Sequence, residues 1–278
     1  MHEVGCGERT HRQRVNFKNK VILITGGSSG IGRSAALAFA REGARVMIAA
    51  RGAERGNRVV SEIEAAGCEA RFVPADVSRA DQVHAMVEAT VKAFGRLDCA
   101  FNNSATIEEP LLPTADFTEE QFDRSMAFNL KSVWLCMQQE IRQMLAQDPP
   151  GGAIVNTSSV NGLGAAPRAA LYSAAKAGVI ALTKAAALEY ARRGIRLNVL
   201  VAGPFETPML AEQLDRATGG DPQARVALEK HFHEMLAMGR FGKPEEAAEA
   251  VLWLCSSAAS YVTGHSMIVD GAMTAAMR

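Results

Sequence analysis

The sequence lacks an excess of charge of either sign. Its 278 residues contain 30 Lys and Arg against 30 Asp and Glu, so the formal net charge at pH 7 is zero. A protein that binds nucleic acid electrostatically needs a basic face to neutralise phosphates. The charge balance therefore argues against nucleic acid as a partner.

Cysteine is sparse, and its spacing lacks a metal-binding pattern. The five cysteines are odd in number and scattered, and no two of them form a CxxC pair. This usage favours free thiols in a reducing compartment, so we expect a cytoplasmic protein. His231 and His233 lie two apart, which on a helix turns them to different faces. We expect no metal site.

Long apolar runs are also missing. We find no apolar run near the roughly 20 residues that cross a bilayer. The first stretch, MHEVGCGERTHRQRVNF, lacks the apolar middle of a secretory signal. We therefore expect no membrane partner. We interpret residues 1–16 as a polar, flexible extension and residues 17–278 as a single domain, for which 48% hydrophobic residues provide a large core.

What the sequence does contain is a regular alternation of two patterns. Short apolar runs such as KVILITGG alternate with stretches of helical periodicity such as IGRSAALAFAREG. Strict strand–helix alternation predicts an α/β fold: one doubly wound parallel sheet of about seven strands, with helices on both faces. Residues 204–245 interrupt the alternation with Pro and Gly, and we expect an irregular or helical substrate lid there.

A glycine-rich turn, TGGSSGIG, follows the first predicted strand at residues 25–32. Gly26 permits a tight turn, Gly30 lets the backbone approach a pyrophosphate, and Gly32 lets the next helix pack closely on the strand. The N-terminus of that helix presents free N–H groups and a positive dipole end to phosphates. A glycine pattern alone is weak evidence, but its place between a strand and a helix predicts a dinucleotide site.

This turn and several later motifs resemble the short-chain dehydrogenase/reductase family from about residue 18 to 272. The resemblance implies a Rossmann-like fold and a nicotinamide cofactor. The matching stretches are TGGSSGIG, then Asp76–Val77, NNSA at 102–105, FNL around Asn129, IVNTSS ending at Ser159, YSAAK from Tyr172 to Lys176, and VDG at Asp270. The cofactor residues it implies are Gly26, Ser28, Ser29, Gly30, Ile31, Gly32, Asp76, Val77, Asn102, Asn103, Tyr172, Lys176, Gly203, Phe205 and Thr207.

The end of the second predicted strand bears on the choice of cofactor. Ala50 stands where NAD-preferring members of the family usually carry Asp, and Arg51 follows. A carboxylate would repel a 2′-phosphate, whereas a guanidinium can bind it in a bidentate manner. We therefore favour NADP(H). A solvated loop arginine is the alternative for Arg51, and the uncharged Ser29 and the small Ala50 keep NAD(H) open. Asp76 is expected to contact adenine, with a turn cap as the alternative.

Tyr172 and Lys176 lie four apart, which stacks them on one face of a predicted helix. Hydride transfer to a ketone leaves an alkoxide that needs a proton, and a phenol can donate it. The unperturbed phenol pKa of about 10 is high for a base at neutral pH. We expect the lysine ammonium and an oxidised nicotinamide to lower it. An isolated YxxxK arises by chance, but here it follows Ser159 by 13 residues, as in the family.

Two further residues match the family's catalytic set. Ser159 matches the serine that bonds the substrate oxygen, and its spacing favours it over the neighbouring Ser158. Asn129 lies mid-helix, where Asn has low propensity. In the family this residue holds a water that links the lysine to solvent; a kink in the helix is the alternative or an added role. The family's NNAG, PG and VDGG appear here as NNSA, AG and VDGA.

These patterns predict an NADP(H)-dependent oxidoreductase, a carbonyl reductase or alcohol dehydrogenase, that interconverts a ketone and a secondary alcohol with Tyr172 as general acid and base. An NAD-dependent alcohol dehydrogenase and a non-catalytic cofactor-sensing protein are the alternatives. The resemblance implies a homo-oligomer, a dimer or tetramer, that pairs through helices around 119–147 and 171–192 and through the last strand.

The substrate is expected to be a small molecule bound in an apolar pocket. Apolar residues of the lid and of neighbouring loops are candidates for its lining, although ordinary helix packing explains the lid residues equally well. The candidates are Met209, Leu210, Leu214, Phe232, Met235, Leu236 and Met238 in the lid, and Ile107, Leu111, Leu112, Gly162 and Leu163 in the loops.

Overall fold

The computed structural model of the chain describes residues 16–107 and 111–275. Most of the predicted extension, residues 1–15, lies outside the described residues. Phe17 is buried, and its ring packs edge-on against Phe39 with 4.7 Å between ring centroids. The packed part of the described chain therefore begins at Phe17.

Seven parallel strands form one sheet, as the alternation predicts. The strands are β1 (Val21–Thr25), β2 (Arg45–Ala50), β3 (Ala70–Pro74), β4 (Cys99–Asn102), β5 (Gly152–Ser159), β6 (Ile195–Ala202) and β7 (Ser266–Val269). Their order across the sheet is β3-β2-β1-β4-β5-β6-β7. The chain winds outward from β1 in one direction and from β4 in the other, so the doubly wound α/β prediction is confirmed.

Nine α-helices in the described residues cover the sheet on both faces. They are α1 (Gly30–Arg41), α2 (Ala53–Ala65), α3 (Ala80–Phe94), α4 (Glu119–Met126), α5 (Ser132–Ala146), α6 (Ala170–Tyr190), α7 (Pro208–Thr218), α8 (Pro222–Met235) and α9 (Pro244–Cys255). A π-helical turn, Ala127–Lys131, joins α4 to α5, so the single long helix expected at 119–147 has a wider turn in its middle.

Continuous apolar runs bury both faces of the sheet. In β1, Ile22 and Ile24 face one apolar layer, which includes α1, α2 and α9, whereas Val21 and Leu23 face the other, which includes α3, α5 and α6. Successive side chains of a strand point to opposite faces, and a parallel sheet covered on both faces needs apolar residues at every position. This is why the strands read as unbroken apolar runs.

The segment Ala170–Arg193 is long and apolar enough, by length and composition alone, to cross a membrane. This corrects the expectation that no segment approaches that length. Its helical part, α6, packs along β5 and β6, and its Lys176 is buried together with Leu171 and Val179. These contacts account for its apolar composition as that of a core helix.

The interrupted region at 204–245 contains α7 and α8. Leu214 and Leu236 are buried there with Phe241 in a small apolar cluster, against which Leu210 and Phe232 also pack. Four of the expected pocket residues therefore contribute to the packing of this region itself. Its role as a lid stays a prediction.

Candidate active site

The residues predicted to bind the cofactor follow the carboxyl ends of parallel strands, which meet at one edge of the sheet. In an open sheet of this kind, ligands bind where the strand order reverses, which here is between β1 and β4. The residues are Gly26, Ser28, Ser29, Gly30, Ile31 and Gly32 after β1, Arg51 after β2, Asp76 and Val77 after β3, Asn102 and Asn103 at the end of β4, and Gly203, Phe205 and Thr207 after β6.

The glycine turn has the geometry that a bound dinucleotide requires. Gly26 and Gly30 have φ values of 66° and 51°, which side chains other than glycine rarely adopt. A Cβ on Gly32 would lie 2.3 Å from the Gly26 carbonyl oxygen, so no side chain fits there. Ser29 precedes α1 without a side-chain cap, which leaves the first N–H groups of the helix available. The residues present therefore fit a pyrophosphate.

The loop after β6 packs against this turn. Gly203 lies close to the segment after β7, because a Cβ added to Gly203 would be 2.6 Å from the Asp270 Cα. Phe205 is 4% exposed, and its ring occupies the space beside Gly242, so only its backbone is free to contact a ligand. A Cβ on Gly30 would lie 3.1 Å from the Thr207 methyl group, which places the two cofactor loops side by side.

The two asparagines after β4 have different surroundings. The backbone N–H groups of Asn103 and Ser104 donate to Thr25 Oγ1 at 3.1 and 3.2 Å, and so fix this loop beneath the glycine turn. The Asn102 side chain instead points into the core, where its Nδ2 lies 2.8 Å from Glu140 Oε2. Any contact of Asn102 with the cofactor would therefore come from its backbone.

At the adenosine end, a free cation follows a buried strand. Ala50 is 9% exposed, whereas Arg51 is exposed and makes no hydrogen bond or ion pair with the described residues. Arg58 pairs with Glu54 at 3.1 Å and Arg33 pairs with Glu62 at 2.7 Å, whereas Arg55 is exposed and, like Arg51, makes no hydrogen bond or ion pair with the described residues. Arg51 is thus available to an anionic ligand.

Asp76 forms the turn cap that was the alternative interpretation, and its contact with adenine stays a prediction. Its Oδ1 accepts hydrogen bonds from the Ser78 backbone N–H at 3.0 Å and from the Ser78 hydroxyl at 2.7 Å, as a turn cap does. Its Oδ2 makes no hydrogen bond within the described residues and is available to a ligand. Val77 is 8% exposed and packs in the core, so its side chain faces away from the edge of the sheet.

The catalytic candidates converge where β5 ends beside the first turns of α6. The Ser159 hydroxyl lies close enough to the Tyr172 phenol to lower its pKa, and Ser159 Oγ accepts a hydrogen bond from the Asn161 backbone N–H at 3.2 Å. Ser158 is 1% exposed, and its hydroxyl donates to the Lys176 carbonyl at 2.8 Å, so it is committed to the packing of β5 on α6. This difference favours Ser159 over Ser158 as the residue that meets a substrate.

Lys176 is held in place by the backbone of β5. Its side chain is 1% exposed, and Nζ donates to the Thr157 carbonyl at 3.0 Å. Nζ lies 5.7 Å from the centroid of the Tyr172 ring. Burial lowers the pKa of Lys176 to about 8, because the surroundings disfavour the ammonium.

The pKa of Tyr172 differs from the expectation. Burial raises it to about 12, and the nearby Ser159 hydroxyl only partly opposes this increase. Desolvation of the phenolate therefore outweighs the attraction of the nearby lysine, which itself titrates at about 8. In the protein alone, Tyr172 is a protonated phenol at neutral pH.

Asn129 lies in the π-helical turn, where the helix widens. It is 2% exposed, and its Oδ1 accepts a hydrogen bond from the Thr106 backbone N–H at 3.2 Å. The side chain thus ties the irregular helix to the loop after β4. Turns of this type are frequent at functional sites.

A shallow cleft, open to solvent, lies beside Tyr172. Ile107 and Leu111 line it as expected, but no residue of the lid contributes. The residues missed from the sequence are Thr106, Phe117, Ser125, Arg168, Ala169 and Leu171. Two of them have a signal in the sequence, because Ala169 and Leu171 lie within one turn of Tyr172.

The geometry and the order of the motifs agree with a comparison against protein families. A family model described as enoyl-(acyl carrier protein) reductase matches residues 26–274. The chain belongs to the short-chain dehydrogenase/reductase family. The description of that model applies to the family as a whole and does not assign this chain a substrate.

Three relatives illustrate the range of this family. The chain is 40% identical over 260 residues to the 2,5-dichloro-2,5-cyclohexadiene-1,4-diol dehydrogenase of Sphingobium indicum. This match covers 94% of the chain and 99% of the relative. It is 41% identical over 258 residues to the cyclohexanol dehydrogenase of an Acinetobacter strain, covering 93% and 96%. The crystal structure of levodione reductase superposes with a TM-score of 0.89 at 36% identity, covering 94% of this chain and 100% of that one.

These family members are named as dehydrogenases and reductases of alcohol- and ketone-type substrates. As a short-chain dehydrogenase/reductase, the chain is an oxidoreductase that acts on CH–OH groups with a cofactor of the NAD(P)(H) type.

Proposed function

We propose that this protein is an NADP(H)-dependent oxidoreductase that interconverts a ketone and a secondary alcohol, with Tyr172 as general acid and base. The observation that carries the proposal is the grouping of Ser159, Tyr172 and buried Lys176, whose Nζ lies 5.7 Å from the centroid of the Tyr172 ring. This group lies at the same edge of the sheet as the glycine turn. Proton transfer is therefore available next to the dinucleotide site.

In ketone reduction, Tyr172 donates its phenolic proton to the developing alkoxide. With a pKa of about 12 the phenol keeps this proton at neutral pH, as the acid in this direction must. Ser159, beside the same phenol, would donate a hydrogen bond to the substrate oxygen. When bound, the cofactor supplies or accepts the hydride, and its oxidised ring is a cation that favours the phenolate.

Lys176 supports this step from within the protein. A pKa of about 8 leaves it mostly charged at pH 7, and the Thr157 carbonyl fixes its position. From there the ammonium stabilises the phenolate that remains after proton transfer, and it is the group that would hold the nicotinamide ribose. Asn129 anchors the loop after β4 and, as in the family, would hold a water that connects Lys176 to solvent.

The preference for NADP(H) rests on Arg51. This exposed guanidinium has no partner among the described residues and follows β2 where a carboxylate would otherwise exclude a 2′-phosphate. NAD(H) is the alternative, because the basic residue nearest the glycine turn, Arg33, is already paired with Glu62, and Ser29 is uncharged.

For the substrate we infer a secondary alcohol or ketone on a small apolar ring. Apolar side chains of Ile107, Leu111, Phe117 and Leu171 line the cleft beside Tyr172. Two of the relatives above are named for alcohols on six-membered carbon rings.

We further propose a cytoplasmic homo-oligomer, a dimer or tetramer. Large apolar side chains are exposed on α4, α5 and α6: Phe122 is 47% exposed, Trp134 42% and Leu188 85%. Ile268 on the edge strand β7 is 46% exposed. Apolar surfaces of this kind mark contact sites. Light scattering should give a multiple of 29.7 kDa, and the mass of a single chain would contradict the proposal.

The test of the function is a screen of cofactor oxidation with NADPH and with NADH against cyclic and open-chain ketones. We expect faster oxidation of NADPH, and cyclohexanone-type ketones among the substrates. Faster turnover with NADH would favour the NAD-dependent alternative. NADPH binding without turnover of any carbonyl or alcohol would favour the non-catalytic, cofactor-sensing alternative.

A further inference from the structure

Glu140 is a carboxyl group in the middle of the protein. It lies on α5 and is 0% exposed. Its Oε2 accepts a hydrogen bond from Asn102 Nδ2 at 2.8 Å, and its Oε1 is buried without a donor among the described residues. Fully buried carboxyl groups are rare unless they are paired, and the mechanism above gives this one no role.

The hydrogen bond to Asn102 is one end of a buried chain of polar contacts. Asn102 Nδ2 also donates to Asn156 Oδ1 at 2.9 Å. Asn156 Nδ2 donates to Thr183 Oγ1 at 2.9 Å, and that hydroxyl donates to the Val179 carbonyl at 2.7 Å. All of these side chains are buried. Glu140, Asn102, Asn156 and Thr183, here called the buried polar network, join α5, β4, β5 and α6.

Three members of the buried polar network, Asn102, Asn156 and Thr183, lie close in sequence to residues of the candidate active site. Asn102 ends β4, and the next two residues bond to Thr25 beneath the glycine turn. Asn156 lies three residues before Ser159 on β5. Thr183 lies seven residues after Lys176 on α6, about two turns along the same face. The buried polar network therefore spans the distance between the cofactor turn and the catalytic residues.

We propose that Glu140 is a positioning residue of the reaction, which acts through Asn102 to hold β4, β5 and α6 at the spacing that hydride and proton transfer require. The inference rests on the proposed function. Small displacements matter in such a site, because a misplacement of about 1 Å can cost a factor on the order of 100 in rate.

The buried polar network is best satisfied when Glu140 is a neutral acid. Burial raises its pKa to about 8, and the hydrogen bond from Asn102 opposes this only in part. Glu140 Oε1 and Asn102 Oδ1 are both acceptors without a donor, and a proton on the carboxyl group adds one. The neighbours from β4, β5 and α6 are the uncharged Asn102, Asn156 and Thr183. On α5, burial raises the pKa of the Cys136 thiol, which therefore stays neutral.

Two substitutions separate the charge of Glu140 from its hydrogen bonds. Glu140→Gln keeps the shape, accepts from Asn102 and donates from its amide, so we expect a kcat within about threefold of wild type. Glu140→Leu leaves a donor of Asn102 unpaired, so we expect kcat to fall about 10- to 100-fold with little change in the KM of the ketone. Equal kcat values for wild type and Glu140→Leu would overturn the inference.

The pH profile provides a readout that a purely structural role would not change. The ratio of wild-type kcat to Glu140→Gln kcat should fall as pH rises through about 8, because ionised Glu140 loses the added donor. The ratio cancels the titration of Tyr172 and Lys176, which both proteins share. A ratio that stays constant from pH 6 to pH 10 would contradict a neutral acid at this position.

The matched control is Met144→Ala. Met144 is 0% exposed on the same helix and belongs to the apolar core, with none of the hydrogen bonds of the buried polar network. We expect a lower unfolding midpoint but a kcat within about twofold of wild type at 25 °C. A Met144→Ala kcat as low as that of Glu140→Leu would overturn the inference, since general loosening of the core would explain both.

Thr183→Val tests the far end of the buried polar network and replaces Glu140→Leu should that variant not fold. It removes the acceptor of Asn156 Nδ2, and we expect a smaller loss of kcat, about threefold to tenfold. A wild-type kcat in Thr183→Val would count against the inference. If the wild type turns over no carbonyl, the proposed function fails, and the affinity for NADPH then tests the role of Glu140. Glu140→Leu should bind NADPH at least threefold more weakly than Met144→Ala does. Equal affinities of the two variants would overturn the inference.

Discussion

The two ends of the cofactor groove are built differently. At the proposed catalytic end, Ser159 ends β5, and Tyr172 and Lys176 lie on α6. Ser159 Oγ accepts a hydrogen bond from the Asn161 N–H at 3.2 Å, and Lys176 Nζ donates to the Thr157 carbonyl at 3.0 Å. At the proposed adenosine end, Arg51 follows a strand on an exposed segment and has no partner among the described residues. The protein thus fixes the proposed catalytic groups and leaves exposed the group that is proposed to select the cofactor.

This difference predicts different sensitivities. Lys176 is buried and hydrogen-bonded, so its charge acts in a low-dielectric environment, where it has a large effect. An exposed guanidinium acts through water and is screened by salt. Substitutions at the catalytic end should therefore affect the rate strongly, and substitutions at the adenosine end should affect the choice of cofactor by smaller factors.

Lys176→Met is expected to have a larger effect than the three substitutions that follow. Methionine fills a buried site of similar size but removes the cation 5.7 Å from the Tyr172 ring, so the phenolate left after proton transfer loses its stabilisation. We expect kcat to fall by about 100- to 1000-fold, in the range that one acid–base group contributes. Steady-state kinetics at saturating NADPH measures this, and a kcat above one tenth of wild type would contradict the role.

Gly32→Ala should weaken cofactor binding by about tenfold or more. The new Cβ would lie 2.3 Å from the Gly26 carbonyl oxygen, so the turn must shift, at a cost on the order of 1–3 kcal/mol. Fluorescence titration with NADPH measures the loss. The matched control is Gly164→Ala, where a Cβ meets no atom within 4 Å. Equal Kd values for the two variants would refute the assignment of the turn.

Arg51→Asp should raise the KM of NADPH by about tenfold and leave the KM of NADH unchanged or lower. A hydrogen bond to a charged group contributes about 1.5–3 kcal/mol, and the exposure of Arg51 places it at the low end. Arg58→Ala is the control, since Arg58 is exposed nearby but paired with Glu54. An NADPH KM that Arg51→Asp does not change would end the case for a 2′-phosphate at this position.

The smallest effect on activity at neutral pH is expected for Glu140→Gln, whose main effect is on stability. The folded pKa of Glu140 is raised from 4.5 to about 8, so the folded protein keeps a proton that the unfolded chain releases. This contribution to stability is complete below pH 4.5 and is lost as pH rises through about 8, at about 1.4 kcal/mol per pKa unit. The difference between the unfolding midpoints of wild type and Glu140→Gln should decrease from pH 5 to pH 9. A difference that does not change with pH would contradict a buried neutral acid at position 140.

The fold was predictable because its signals are local. Unbroken apolar runs ending in glycine or polar residues indicate strands buried on both faces, and β1 shows this with all five residues buried. The Tyr172–Lys176 pair was predictable for the same reason, since helical spacing alone places both side chains on one face.

Features that depend on tertiary surroundings could not be predicted from the sequence. Asn102 stays a predicted cofactor residue through its backbone alone, because the period-2 alternation of β4 places its side chain on the same face as buried Ala100, toward α5. Glu140 lies 38 residues away in sequence, and no local pattern joins the two. The pKa of Tyr172 was expected to be lowered because a nearby lysine is visible in the sequence, whereas burial is not.

The central claim is that Tyr172 donates the proton and is not needed to bind the cofactor. Tyr172→Phe removes only the phenolic hydroxyl, the group proposed to donate the proton. Single-turnover kinetics of this variant, with NADPH affinity measured on the same preparation, tests the claim most directly. The account predicts a rate lower by about 100- to 10,000-fold and an NADPH Kd within about threefold of wild type. A rate within tenfold of wild type, with the affinity intact, would contradict it.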